Sequence, residues 1–289
     1  MKKTKIILLL TSILFSGQAV VKRTKSLQWI GGPTYVLQLG SFKIITDPML
    51  CSKSDNAFVI KKHPTTGEIN AFVKRLVEPT MLDTSNIDVL LISHLHADHF
   101  DKEAKETLNK NLTTVAPTAN KETLLAWGFY NTTGLKWNDT ITFKKDFETI
   151  KIIAVKALHA KDEHLNTELG HVNGYIIEYN DGKNTFRVYW TGDTVWFDEI
   201  KEYKKFGRIN LLIPNMGAVG ADGNIGRRGL NAIECMKIIR CLNPILIIPV
   251  HHNTFSHYTE PIAVLQELSA KTKYKARVKI IKESSIINL

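Results

Sequence analysis

The chain of 289 residues lacks the features of a membrane-spanning, disulfide-framed or repetitive protein. No apolar run reaches the roughly 20 residues that a spanning helix needs, which excludes a polytopic membrane protein. Its cysteines number three, Cys51, Cys235 and Cys241. An odd number cannot close a disulfide framework, and without a C-x-x-C pair there is neither a zinc ribbon nor a thioredoxin-type site. The 17 glycines and 9 prolines fall far short of a collagenous or low-complexity load. No segment has linker composition, so one continuous domain is expected.

What the chain does have is core material and positive charge. Hydrophobic residues make up 44% and charged residues 23%, the balance of a globular protein. The formal charge of +10 comes from scattered lysines, not from one stripe interleaved with aromatics. That pattern suits an anionic substrate or surface, or equally a solvated basic face, and gives no support to a nucleic-acid partner. No segment marks an obligatory protein partner. At the start, Lys2, Lys3 and Lys5 precede the apolar residues 6–15, followed by Gly17-Gln18-Ala19. Basic, apolar and small residues in that order predict a cleavable export signal at 1–19, leaving a periplasmic or secreted chain at 20–289. The mature charge is then 38 − 3 − 28 = +7.

Residues 34–39 and 42–46 read as short strands, and Val89-Leu90-Leu91-Ile92 reads as a buried strand ending in a polar cluster, with a helix starting at Asp101. Residues 151–155 are strand-like. Residues 175–179 and 186–190 flank Asn180-Asp181-Gly182-Lys183-Asn184 and predict a hairpin. The last third alternates: a strand at 211–213, a helix from Asn231 with Glu234 placed to close a capping box, a strand at 245–248 and a helix after Pro261. Strands early and strand–helix units late suggest sheets covered by helices.

The polar cluster is Ser93-His94-Leu95-His96-Ala97-Asp98-His99, an H-x-H-x-D-H pattern. A chain leaving a strand still alternates sides, so His94, His96 and Asp98 can point one way while the turn swings His99 beside them. Imidazole and carboxylate are donors that Zn²⁺, Mn²⁺ and Fe accept, and the absence of thiolate argues against a closed structural zinc. Further donors stand where other strands give way to loops: His159, Asp193 in Thr191-Gly192-Asp193-Thr194, and His251 after Pro249. Such convergence of strand ends is how open sheets build active sites. His164 and His171 lie near His159 and are alternatives to it; the strand directly before His159 favours that residue.

These residues resemble the metallo-β-lactamase superfamily, whose signature is H-x-H-x-D-H followed by a lone His, a bridging Asp and a final His. The likeness runs from Trp29 to about His257. Trp29-Ile30-Gly31-Gly32-Pro33-Thr34, Thr46-Asp47-Pro48, Gly192-Asp193-Thr194 and Pro249-Val250-His251 resemble the branch holding the ascorbate-6-phosphate lactonases and the N-acyl phosphatidylethanolamine-hydrolysing phospholipases D. The resemblance implies an α/β fold, an αββα sandwich in one domain, with two divalent metal ions at the sheet edge, zinc first and manganese or iron as alternatives. It implies that His94, His96 and His159 bind the first ion and Asp98, His99 and His251 the second, with Asp193 bridging.

Two ions about 3.5–4 Å apart can share a water and make hydroxide available near neutral pH, with Asp98 as the catalytic residue that orients it or relays its proton. The reaction class is therefore hydrolysis of a phosphodiester, lactone or ester, with a small-molecule or lipid-like substrate. The bridging Asp disfavours a true β-lactamase, and the separation of 251 − 193 = 58 positions from Asp193 to His251 leaves no room for a nuclease insertion. A catalytically inactive binding protein on the same fold is the rival, opposed by the full ligand set. His252 and His257 read equally as pocket-lining or polar surface residues. Arg227 and Arg228 lie in a loop with Gly217, Gly220, Gly223, Gly226 and Gly229, where they could clamp a phosphate or carboxylate or be solvated.

Overall fold

The structure, a computed structural model, describes residues 24–80, 82–220 and 226–289. The expected export signal therefore lies outside the described residues. The described residues begin with β1 (Lys25–Gly31), β2 (Thr34–Leu39) and β3 (Phe42–Thr46), then β4 (Ser54–Lys62), β5 (Ile69–Arg75) and β6 (Val89–Leu91). Next come α1 (Lys102–Thr107), β7 (Thr113–Pro117), α2 (Lys121–Ala126), β8 (Thr132–Leu135), β9 (Thr140–Lys145) and β10 (Glu148–Lys156). After α3 (Glu163–Leu169) follow β11 (Asn173–Asn180), β12 (Thr185–Trp190) and β13 (Leu211–Ile213). The last elements are α4 (Ala232–Leu242), β14 (Leu246–Ile247), α5 (Ala263–Ala270) and β15 (Ile286–Asn288). No helix among the described residues is long and apolar enough to cross a membrane.

Two sheets form, in the orders β15-β1-β2-β3-β6-β7-β8 and β14-β13-β12-β11-β10-β9, with β4 and β5 a separate two-stranded ribbon. The period-2 pattern explains the layering. In β6, Val89 and Leu91 face the second sheet while Leu90 faces the helices; in β11, Tyr175, Ile177 and Tyr179 face the first sheet while Ile176 faces α4 and its neighbours. Strands apolar on both faces need cover on both faces, and the result is helix, sheet, sheet, helix, the expected αββα sandwich. Each buried Leu, Ile, Val or Phe contributes about 1.5–3 kcal/mol. Between the sheets, Tyr35 meets Trp190 edge-on at 5.7 Å and Tyr175 stacks on it at 5.8 Å.

Most expected elements occupy their places. The predicted hairpin is β11–β12, and Asp101 caps α1 by accepting from the Ala104 amide at 2.7 Å. Two details differ. The expected strand at 245–248 contracts to β14, Leu246–Ile247. Asn231 does cap α4, accepting from the Glu234 amide at 2.9 Å, but the box is not closed. The Glu234 carboxylate instead accepts from Arg227 and the Trp196 amide, because a guanidinium is a stronger donor than a backbone amide.

Candidate metal centre

Side chains converge on one end of the sandwich, where β6, β10, β12 and β14 all run out. The strands deliver them because a strand end is the last place where packing dictates direction and the first where a polar side chain can leave the core. Gly192 shows how tightly the turns are drawn. Its φ of +56 is open to glycine, and a Cβ there would come within 2.6 Å of the Asn173 carbonyl oxygen. The chain thereby turns Asp193 inward. His251 itself sits at a φ of +60, an unfavourable region for a non-glycine residue that marks a position held by its surroundings.

Beside an overlapping set of Asp47, His94 and His99, two compact donor groups with no residue in common result among the described residues, His94, His96 and His159 in one, and Asp98, His99, Asp193 and His251 in the other. Within each, one donor atom per residue lies within 4.8 Å of every other. Asp193 stands between them: Oδ2 is 3.2 Å from His99 Nε2 and 3.6 Å from His159 Nε2, while Oδ1 is 3.6 Å from His251 Nε2. Asn215 Nδ2 donates to Oδ1 at 2.9 Å and is itself held by Trp190 Nε1 at 2.9 Å. The carboxylate is thus fixed from the core side.

The imidazoles are oriented from behind. His96 Nε2 lies 2.9 Å from the Leu169 carbonyl oxygen, His99 Nδ1 2.7 Å from Asp47 Oδ2, and His251 Nδ1 2.9 Å from the Met216 carbonyl oxygen. Each acceptor calls for the proton on that nitrogen and leaves the other nitrogen a bare lone pair. Two of the bare atoms face one another, His99 Nε2 lying 3.2 Å from His251 Nε2. His96 Nδ1 is 3.1 Å from Nε2 of His159, whose own Nδ1 has no partner. Opposed lone pairs at that distance repel unless a cation lies against both, and the buried His94 Nε2 has no protein partner. The donor set therefore fits divalent metal ions.

The electrostatics set the carboxylates and His96 in the ligand form, whereas burial would lower His99 and His251 but the carboxylates around them, Asp193 first, raise both above the ordinary imidazole value. Burial would raise Asp193, but His251 and His99 outweigh it and hold the carboxyl well below the usual range. Burial also opposes the ionised form of Asp98, and His99 with hydrogen bonds from His251 and His257 reverses that effect. His96 is pushed down to about 4, by burial first and then by His159. Anionic carboxylates and neutral imidazoles are the ligand forms a cation requires.

Above this floor opens a cavity of about 540 Å³, lined by His96, Asp98, His159 and Asp193 below and by β4, α3 and Arg228 above. His257 lines it too, with Nε2 3.1 Å from Asp98 Oδ2. The other residues considered for substrate contact lie elsewhere. His252 is buried against Trp29, ring centroids 4.5 Å apart, while the left-handed backbone at His251 turns that residue into the site. Arg227 binds Glu234, so it does not reach the cavity. Arg228 does line it, while part of its loop, 221–225, lies outside the described residues. His164 is exposed on α3, and His171 stacks on Trp137 at 4.6 Å.

Sequence reasoning passed over the supporting residues. Asp47 accepts from the Ser93 amide at 2.7 Å as well as contacting His99, and its only signal was Thr46-Asp47-Pro48. Asn215 and the two backbone carbonyls carry no sequence signal.

Comparison with known proteins agrees with this geometry. A family model described as the β-lactamase superfamily domain matches residues 64–252, more than half of the chain. The chain is 27% identical over 252 residues to UPF0173 protein YddR of Bacillus subtilis, covering 86% of this chain and 94% of that one. It is also 27% identical over 261 residues to N-acyl-phosphatidylethanolamine-hydrolyzing phospholipase D 1 of Caenorhabditis elegans, covering 83% and 68%. Among solved structures, an isothiocyanate hydrolase from Delia radicum gut bacteria superposes with a TM-score of 0.72 at 22% identity, covering 91% of this chain and 98% of that one. With the αββα sandwich, the two donor groups at its edge and the matching family model in agreement, the chain belongs to the β-lactamase superfamily.

Proposed function

We propose that the chain, a metal-dependent hydrolase by family and by donor set, cleaves a phosphodiester with two divalent ions, zinc first. The observation that carries this reading is Asp193, whose carboxylate lies between the two histidine groups, Oδ2 facing His99 and His159 and Oδ1 facing His251, where it could be shared by two cations. Such ions supply an activated water and stabilise charge on the electrophile. His94, His96 and His159 would hold one and Asp98, His99 and His251 the other. Asp98 also accepts from His257, so the pair can hold a proton at the cavity wall, within reach of a leaving oxygen. The cavity supplies apolar walls from Val59, Ile60, Leu165 and Leu169 and, against the single carboxylate of Glu168 beside Arg228, the positive charge of Lys61, Lys62 and Arg228, which suits an anionic ester with an apolar portion. Two relatives are named for hydrolysing a phospholipid phosphodiester, which favours this class over lactones.

The test is hydrolysis of bis(p-nitrophenyl) phosphate beside a panel of lactones and carboxylic esters, after loading with Zn²⁺ or Mn²⁺. Turnover of the diester is expected, with loss on chelation and recovery on readdition. Turnover of lactones alone would replace the phosphodiester reading; no turnover of any of them with metal bound would leave the inactive binding protein.

A further inference from the structure

Five of the ten large apolar side chains exposed among the described residues, Val59, Ile69, Phe72, Leu76 and Val77, fall on the β4–β5 ribbon or just beyond it. The ribbon is well anchored, so this exposure does not reflect a loose element. Phe58 meets Phe255 edge-on at 5.1 Å and His257 at 5.5 Å, and Val73 packs with Met49 and Phe255. Arg75 is buried and donates to the Met49 and Ile30 carbonyls. Folding uses one face of the ribbon. The other face and the tip remain open.

At the distal end the register pairs Val59 with Phe72, Ile60 with Ala71 and Lys62 with Ile69, with Lys61 between. Val59, Ile69 and Phe72 are 42%, 66% and 59% exposed. Lys61 and Lys62 form no ion pair among the described residues, whereas Lys74 is taken up by Asp55 at 3.0 Å. We propose that this end of the ribbon docks on an anionic lipid surface, with Ile69, Phe72 and Val59 entering the headgroup boundary and Lys61 and Lys62 meeting lipid phosphates. The same strand, from Val59 to Lys62, lines the mouth of the cavity, so docking sets that mouth against the surface.

A second copy of the chain is a poorer occupant. Symmetric pairing would set Lys61 and Lys62 against their own equivalents. Three partly exposed side chains, each offering at most roughly 150–250 Å², also fall short of the roughly 800 Å² per partner that a stable dimer buries.

The experiment is sedimentation of the full chain with phosphatidylcholine vesicles, with and without one third phosphatidylglycerol. Because residues 6–15 are apolar, the comparison is between chains identical outside the ribbon. Binding to the anionic vesicles is expected, weakened about tenfold or more by Ile69→Ser with Phe72→Ser. Lys61→Gln with Lys62→Gln should weaken it on the order of thirtyfold, and chelation of metal should leave it unchanged. Equal binding by the parent and both double variants would overturn the proposal, as would no binding by the parent or binding lost on chelation. A dimer in ultracentrifugation that Phe72→Ser dissociates would assign the face to a second copy instead.

Discussion

The floor and the roof of the cavity face the same space but are built in different ways. On the floor, His94, His99, His159, Asp193 and His251 are all buried, each at the end of a strand or the turn after one, and the imidazoles of His96, His99 and His251 are fixed from behind by Leu169, Asp47 and Met216. The roof is a two-stranded ribbon outside both sheets, a seven-residue helix α3 and a glycine-rich loop, and it exposes Val59, Ile69 and Phe72. A group that must hold geometry is placed where the core leaves no choice. A wall that only has to fit a substrate is placed on appendages, where residues change without disturbing the fold. Substitutions on the floor should therefore abolish chemistry, and those on the roof should adjust binding or local stability.

The largest effect should come from Asp193→Asn. An amide cannot serve as a shared anionic ligand, so kcat should fall on the order of a thousandfold or more with KM changed far less, as measured on the diester. Full activity in this variant would make the floor no different from the roof. Next is Asp47→Ala, which removes the acceptor that orients His99. Metal affinity, read by competition with a chromogenic chelator, should drop roughly 10–100-fold.

Behind the roof, Glu234 tests stability rather than chemistry. Burial would raise its pKa, but hydrogen bonds from Arg227 and the Trp196 amide overcome that and lower it from the ordinary 4.5. A depressed folded pKa stabilises the fold above 4.5, and the contribution is lost as pH falls through the lower folded value. Glu234→Gln should thus lower the unfolding free energy by about 2 kcal/mol near neutrality, with the gap to the parent closing in acid, as read by urea titration. The smallest effect is expected of His164→Ala and His171→Ala, which should leave metal content and kcat within a few-fold of the parent. Loss of metal in the His164 variant would displace His159 from the proposed ligand set.

The same division decides what could be read from the sequence. Val89-Leu90-Leu91-Ile92 broke off into His94-Leu95-His96-Ala97-Asp98-His99, an abrupt change from apolar to ligand-type residues that has few structural uses. The ends of β10, β12 and β14 repeated that change. The ribbon escaped notice because β4 opens with Ser54-Asp55-Asn56, which reads as a turn, and because Val59 and Phe72 put apolar residues on the face that ordinarily alternates to polar. Arg227 was read as a candidate anion clamp because its partner Glu234, seven residues on, was allotted to a helix cap. Asp47 was visible only as part of a motif, since an acceptor that acts through another residue's imidazole leaves no spacing pattern of its own.

The proposal that two groups on the floor bind two ions is tested most directly by elemental analysis of the purified full chain after metal loading. The account predicts about two zinc, manganese or iron ions per parent chain and at most one retained in Asp193→Asn. A parent chain that binds none of these metals, or an Asp193→Asn chain that keeps both ions at undiminished affinity, would contradict it.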